Sequence, residues 1–225
     1  MPLFPLWHRP LDVSPAKRDW IADCFDWFDS RFPAPPAPIL PTRAFFAAKK
    51  GSPEDTARQV LSDVTRHMGF DLPITLFPLE RPPAELRHDY QSLGEVGGTY
   101  FETDEGRFIS YDPETLSRPI QFIDTIAHEV MHARLSGLER QIPGGIEAHE
   151  LATDLGCIIA GFGVFQLQAA DDLGWAGYLS QPTRAYALAR FLLDRNLDLA
   201  AVSDHLTGRC RNLVRRGLHD VARTP

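Results

Sequence analysis

The sequence predicts an α+β protein in which a small, mostly antiparallel sheet or hairpin packs on a central helix and a second helix, with a helical part following. Three observations carry this. Residues 119–138 form a segment apolar almost all round a helical wheel, which marks a core helix. Just before it, two β-prone runs flank a short turn-forming link. After it, helical periodicity continues nearly to the C-terminus.

The N-terminal stretch 1–14 is rich in proline and aromatics, too apolar for a free tail and too broken for a helix, and is expected to pack as an arm. Ser14 and Pro15 then supply an N-cap and first-turn pair, and Trp20, Ile21, Cys24, Phe25, Trp27 and Phe28 recur at helical spacing. The nine residues 33–41 hold too many prolines for helix or central strand and read as an extended connector. Ser52, Pro53, Glu54 and Asp55 start a second helix, which Gly69 ends. Residues 74–79 look like a strand, with Pro78 placing its end at a sheet edge. Residues 81–96 show no periodicity and are expected as loop.

Runs 98–102 and 107–111 on either side of residues 103–106 predict the hairpin, and Asp112 with Pro113 ends its second strand. Beyond the central helix and a loop, a further helix is expected over 146–160, ended by Gly161 and Gly163. Helical stretches follow near 182–195, 197–206 and 209–222. We therefore expect a single compact unit over 1–225, with N-terminal helices and connector in 1–70, the core in 71–165 and a helical part in 166–225.

Composition narrows the function classes. With 44% apolar and 24% charged residues the chain sits near the average for folded domains. The 19 prolines cluster in the first half. A net charge of -7 argues against a nucleic-acid partner, and the basic run Arg209, Arg211, Arg215 and Arg216 reads as a solvated helix face. Three widely spaced cysteines and no recognisable leader make a reducing, cytoplasmic setting the default expectation. No apolar run approaches the roughly 20 residues needed to cross a bilayer, so no membrane-spanning segment is expected.

The chemistry concentrates in the central helix, where His128, Glu129 and His132 form an H-E-x-x-H pattern. Imidazoles four positions apart on a helix point the same way and can hold one metal ion, with Glu129 beside them. Two histidines and a glutamate within a core helix are costly unless a metal or hydrogen bonds satisfy them. A catalytic zinc takes three protein ligands and keeps a fourth position open. On the next helix Glu147, Glu150, Asp154 and Cys157 share one face, whereas His149 lies about 100° from Glu150, which makes Glu150 the better third ligand.

His128-Glu129-Val130-Met131-His132, followed 18 positions later by Glu150-Leu151-Ala152-Thr153-Asp154, resembles the paired H-E-x-x-H and E-x-x-x-D motifs of the gluzincin metallopeptidases. The resemblance covers roughly residues 95–160. It implies a zincin-like core, a zinc ion on His128, His132 and Glu150, Glu129 as general base, and Asp154 supporting a ligand histidine. It also implies hydrolysis of a peptide or protein substrate, with the extended substrate pairing to an edge strand of the hairpin. Tyr178, Tyr186, His205 and His219 are available as oxyanion donors, and Tyr178 is the first choice. Two other classes are weighed beside it: a zinc-containing interaction module without turnover, which has no use for Glu129, and another metallohydrolase such as a deformylase or amidase. A deformylase would need an upstream ligand that the cysteine pattern does not supply.

Overall fold

The computed structural model describes residues 10–48, 51–79, 98–172 and 177–223. The loop expected over 81–96 and the first part of the N-terminal arm lie outside the described residues. Among those described, the chain is α+β with one three-stranded mixed sheet.

Helix α1 (Pro15–Asp29) starts at Ser14, whose side chain accepts the Lys17 N–H, with Pro15 in the first turn. It buries Ile21, Cys24, Phe25 and Phe28. Residues 11 and 13 of the arm are buried as well, and the Leu11 amide donates to Asp220 at 2.7 Å. Helix α2 (Pro53–Met68) repeats the serine–proline start at Ser52 and Pro53, and Glu54 and Asp55 complement its dipole.

Strand β1 (Ile74–Pro78) pairs with β3 (Gly106–Tyr111) in parallel, and β2 (Gly98–Thr103) pairs with β3 antiparallel. The expected hairpin is therefore β2–β3, with a two-residue turn at Asp104 and Glu105. The order β1-β3-β2 puts β3 in the centre and leaves β2 as an edge. The parallel partner differs from the mostly antiparallel sheet expected, because β1 is joined to β3 through β2 and the hairpin turn sets β3 running in the same direction as β1.

A short 3₁₀ turn (Pro113–Ser117) leads into the central helix α3 (Pro119–Leu135). Its buried residues Phe122, Ile123, Ile126, Ala127, Val130, Met131, Ala133 and Leu135 surround the axis, as the wheel requires. It packs on α2, on β2 and on the two helices that follow, α4 (His149–Cys157) and α5 (Gly163–Asp172). Glycine does not end this second helical segment, as the sequence suggested. Gly161 instead adopts φ +96° inside a π turn (Ile158–Phe162), its carbonyl accepts the Ile39 amide of the connector at 2.9 Å, and helix resumes to Asp172. Together residues 146–172 are, against the expectation from sequence, long and apolar enough to cross a membrane by length and composition, and 83% of the apolar window is buried inside the fold. That burial accounts for its apolarity as a core helix.

Helices α6 (Gln181–Asp194) and α7 (Gly208–Val221) close the C-terminal side and pack on one another. Ser180 and Thr207 cap them. Between them the stretch expected as helix near 197–206 forms only 3₁₀ turns at Leu199–Ala201 and Ser203–His205. The Asp198 side chain takes the Ala200 amide and holds the first of them in a local turn.

Candidate metal centre

Helix α3 presents His128 and His132 one turn apart, and the start of α4 brings Glu150 against them. His128 Nε2 and His132 Nε2 are 3.0 Å apart, and Glu150 Oε2 lies 3.5 and 3.3 Å from them. Yet that carboxylate oxygen is buried and accepts a well-formed hydrogen bond from neither ring. The three atoms thus face a common point, and the hydrogen bond between the two imidazoles leaves the carboxylate oxygen unsatisfied. Ligands at about 2.0–2.1 Å from a tetrahedral ion stand about 3.3–3.4 Å from each other, so the triangle fits a small divalent cation. These three residues could hold a metal ion.

The electrostatics also favour a cation. Burial works against a charged His128, but its hydrogen bond to Asp154 and its contact with the Glu150 carboxylate outweigh that and push its pKa up to about 10 in the metal-free chain. Contact with His128, and then His132, holds the Glu150 carboxyl well below the usual range. A site that retains a proton this firmly is short of positive charge, and a metal ion would supply it.

Behind His128, Asp154 Oδ1 lies 3.0 Å from Nδ1. With a proton on Nδ1 donated to that carboxylate, Nε2 keeps its lone pair for the cleft. Asp154 is almost fully buried. Burial would raise its carboxyl, but the His128 hydrogen bond and the Arg184 charge pull it below its ordinary value.

Glu129 is buried on the neighbouring face of α3, and its Oε2 accepts the Tyr100 amide of β2 at 2.7 Å. This contact joins the edge strand to the helix and fixes the orientation of the carboxylate. It depends on Gly98, where a Cβ would come within 2.8 Å of Thr125 Cγ2, 3.1 Å of the Ser110 carbonyl and 3.2 Å of Glu129 Cγ. Gly98→Ala should therefore push β2 off α3, destabilising the fold by about 1–3 kcal/mol through overpacking. Thermal unfolding together with amide exchange at Tyr100 checks this; an unchanged midpoint and unchanged Tyr100 protection would mean that the strand has room to retreat.

The cleft above these groups has a volume of about 480 Å³, in the range of small-molecule and peptide-side-chain sites. Gly98, Thr99 and Tyr100 line one part of it, His128, Glu129, His132 and Glu150 another, with Ser136, Glu139, His149 and Tyr178 completing the lining. Tyr178 is 55% exposed, and its ring stacks on His128 at 6.1 Å between centroids. Desolvation and the neighbouring carboxylates, Glu150 first, raise its pKa, which keeps the hydroxyl a neutral donor.

Of the residues singled out from sequence, His128, His132 and Glu150 converge, Asp154 stands behind His128, and Glu129 and Tyr178 reach the same cleft. Tyr186, His205 and His219 are not among its lining residues, and Glu147 is exposed on the preceding 3₁₀ turn. His149, which the helical wheel sets aside as a ligand in favour of Glu150, nevertheless lines the cleft with its ring 4.9 Å from that of His132, and its Nε2 is buried without a hydrogen-bond partner. Sequence reasoning missed one group altogether. Asp124, one turn before His128, has a buried Oδ1 with no partner, and burial pushes its carboxyl up to about 7. The i, i+4 step from Asp124 to His128 was the available signal. No protein family, curated protein or solved structure matches the chain.

Proposed function

We propose that this protein is a zinc-dependent hydrolase with a zincin-like core, most plainly a peptidase of gluzincin type. The observation that carries the proposal is the convergence of two imidazole nitrogens and one carboxylate oxygen, 3.0 to 3.5 Å apart, in an open cleft that also holds the Glu129 carboxylate. His128, His132 and Glu150 would hold the ion. A nitrogen-rich set with one carboxylate suits zinc better than magnesium or calcium, which favour oxygen ligands. Zinc bound there supplies a Lewis acid for a carbonyl oxygen and brings the pKa of water down from 15.7 to about 7.

The chain's own groups would do the rest. Glu129, held by the Tyr100 amide through one oxygen, takes the proton of the attacking water on the other and passes it to the leaving amine. Tyr178 offers a neutral hydroxyl toward the developing negative charge. The edge strand β2 beside the cleft offers backbone groups to an extended peptide. A metal module without turnover would close its fourth coordination position, and it would have no use for an acid at Glu129 in an open cleft.

The test pairs metal analysis with a peptide-library cleavage assay. One zinc per chain and cleavage that a chelator abolishes and added zinc restores are the expected results. A zinc-loaded chain that cleaves no member of the library would remove the peptidase reading, and a chain that takes up no zinc would remove the metal centre.

A further inference from the structure

The segment Gly177–Leu179, which carries Tyr178 into the cleft, is held by the same carboxylate that supports His128. Asp154 Oδ1 serves the imidazole, while Oδ2 accepts the Tyr178 amide at 2.7 Å, the Leu179 amide at 3.0 Å and Arg184 Nη2 at 3.0 Å. Arg184 comes from α6 and is 1% exposed. Its Nη1 donates to the Gln166 carbonyl of α5 at 2.6 Å, so the guanidinium bridges two helices before it reaches the acid. Gly177 closes over the pair at φ +76°, where a Cβ would overlap Arg184 Nη2 and come within 2.9 Å of Asp154 Oδ2.

We propose that Arg184 and Gly177 are positioning residues that lock Asp154, so that one carboxylate sets both the ligand imidazole and the Tyr178 wall of the cleft. The physical reason is geometric. A carboxylate alone on a helix can rotate about its last torsion, whereas one whose second oxygen takes three donors has a single orientation left for the first. Loss of the guanidinium would free that torsion, loosening the His128 hydrogen bond and the 177–179 backbone together. Metal affinity and wall order are thus linked through residues that touch neither metal nor substrate. The metal half of this inference rests on the proposed zinc centre, and the wall half does not.

The experiment uses the full chain with Arg184→Lys and, because a buried arginine risks the fold, Gly177→Ala at an exposed position. In the metal-free proteins, hydrogen exchange at the Tyr178 and Leu179 amides should quicken by about tenfold or more, while buried amides of α2 keep their wild-type rates. The Nδ1 proton of His128, which faces Asp154 Oδ1 at 3.0 Å, should exchange with solvent more quickly as well. Zinc affinity, measured with zinc alone against a competing chelator, should fall by about tenfold, the lower end of what outer-shell changes cost. Exchange at the two amides within twofold of wild type in both variants would overturn the proposal, as would equal loss of protection throughout the chain, which marks a merely structural role. A wild-type chain that binds no zinc would defeat the metal centre, while the amide comparison would still decide the lock.

Discussion

Glu129→Gln should leave zinc uptake at the wild-type level and lower kcat/KM on a cleaved peptide by about 10²–10⁴-fold, the range that general-base catalysis contributes. The substitution is nearly isosteric, and its amide oxygen can still accept the Tyr100 N–H that the carboxylate takes at 2.7 Å. Strand β2 therefore stays docked on α3. The three donor atoms at the cation position lie on His128, His132 and Glu150, so the donor set is intact. What disappears is basicity at one place in the cleft. A fall in kcat with little change in KM would locate the loss in the chemical step. Zinc-loaded Glu129→Gln turning over at the wild-type rate would remove Glu129 from the mechanism and leave the cleft without a base.

The sequence exposed those parts of the fold and site whose physics is local. Serine–proline pairs at 14–15 and 52–53 mark helix starts because capping and the fixed φ of proline act within one turn. His128, Glu129, His132 and Glu150 stand out because polar groups at helical spacing in apolar segments demand a partner. Long-range pairings were harder. Nothing in residues 74–78 says that they lie parallel to β3, since that depends on where the intervening chain returns. Arg184 reads as one more charged residue on a helix, and only the approach of α6 to Asp154, 30 positions away, makes it a buried partner. Gly161 looks like a helix stop, but the connector's Ile39 amide meets the carbonyl that the π turn frees, so the helix can continue.

Asp154→Ala should be the most destabilising single change at the site. The Asp154 and Arg184 side chains are 2% and 1% exposed, and the acid also takes the Tyr178 and Leu179 amides. Truncating the acid leaves a buried guanidinium without its counter-charge, a loss of about 3–5 kcal/mol. For a chain of this size that lowers the thermal midpoint by about 6–20 °C, at about 2–4 °C per kcal/mol. The acid dependence has a definite sign. The folded chain holds the Asp154 carboxyl below its ordinary value, so between that depressed value and the unfolded one, about 3.9, the unfolded chain binds more protons. The stability contributed by Asp154 is therefore fully present above about pH 5 and is lost as pH falls through the folded value. In metal-free protein, the gap in unfolding free energy between wild type and Asp154→Ala should be widest near neutrality and narrow on acidification. A second variant separates the lost pair from the stranded charge. Asp154→Leu combined with Arg184→Met removes both ions, and replacing a whole buried pair by apolar groups is often neutral or better. The double variant should thus be more stable than Asp154→Ala despite carrying more substitutions, although the Tyr178 and Leu179 amides lose their acceptor in both. If instead the single variant melts within about 2 °C of wild type, at roughly 2–4 °C per kcal/mol, the guanidinium has found another partner and Asp154 is not what neutralises it.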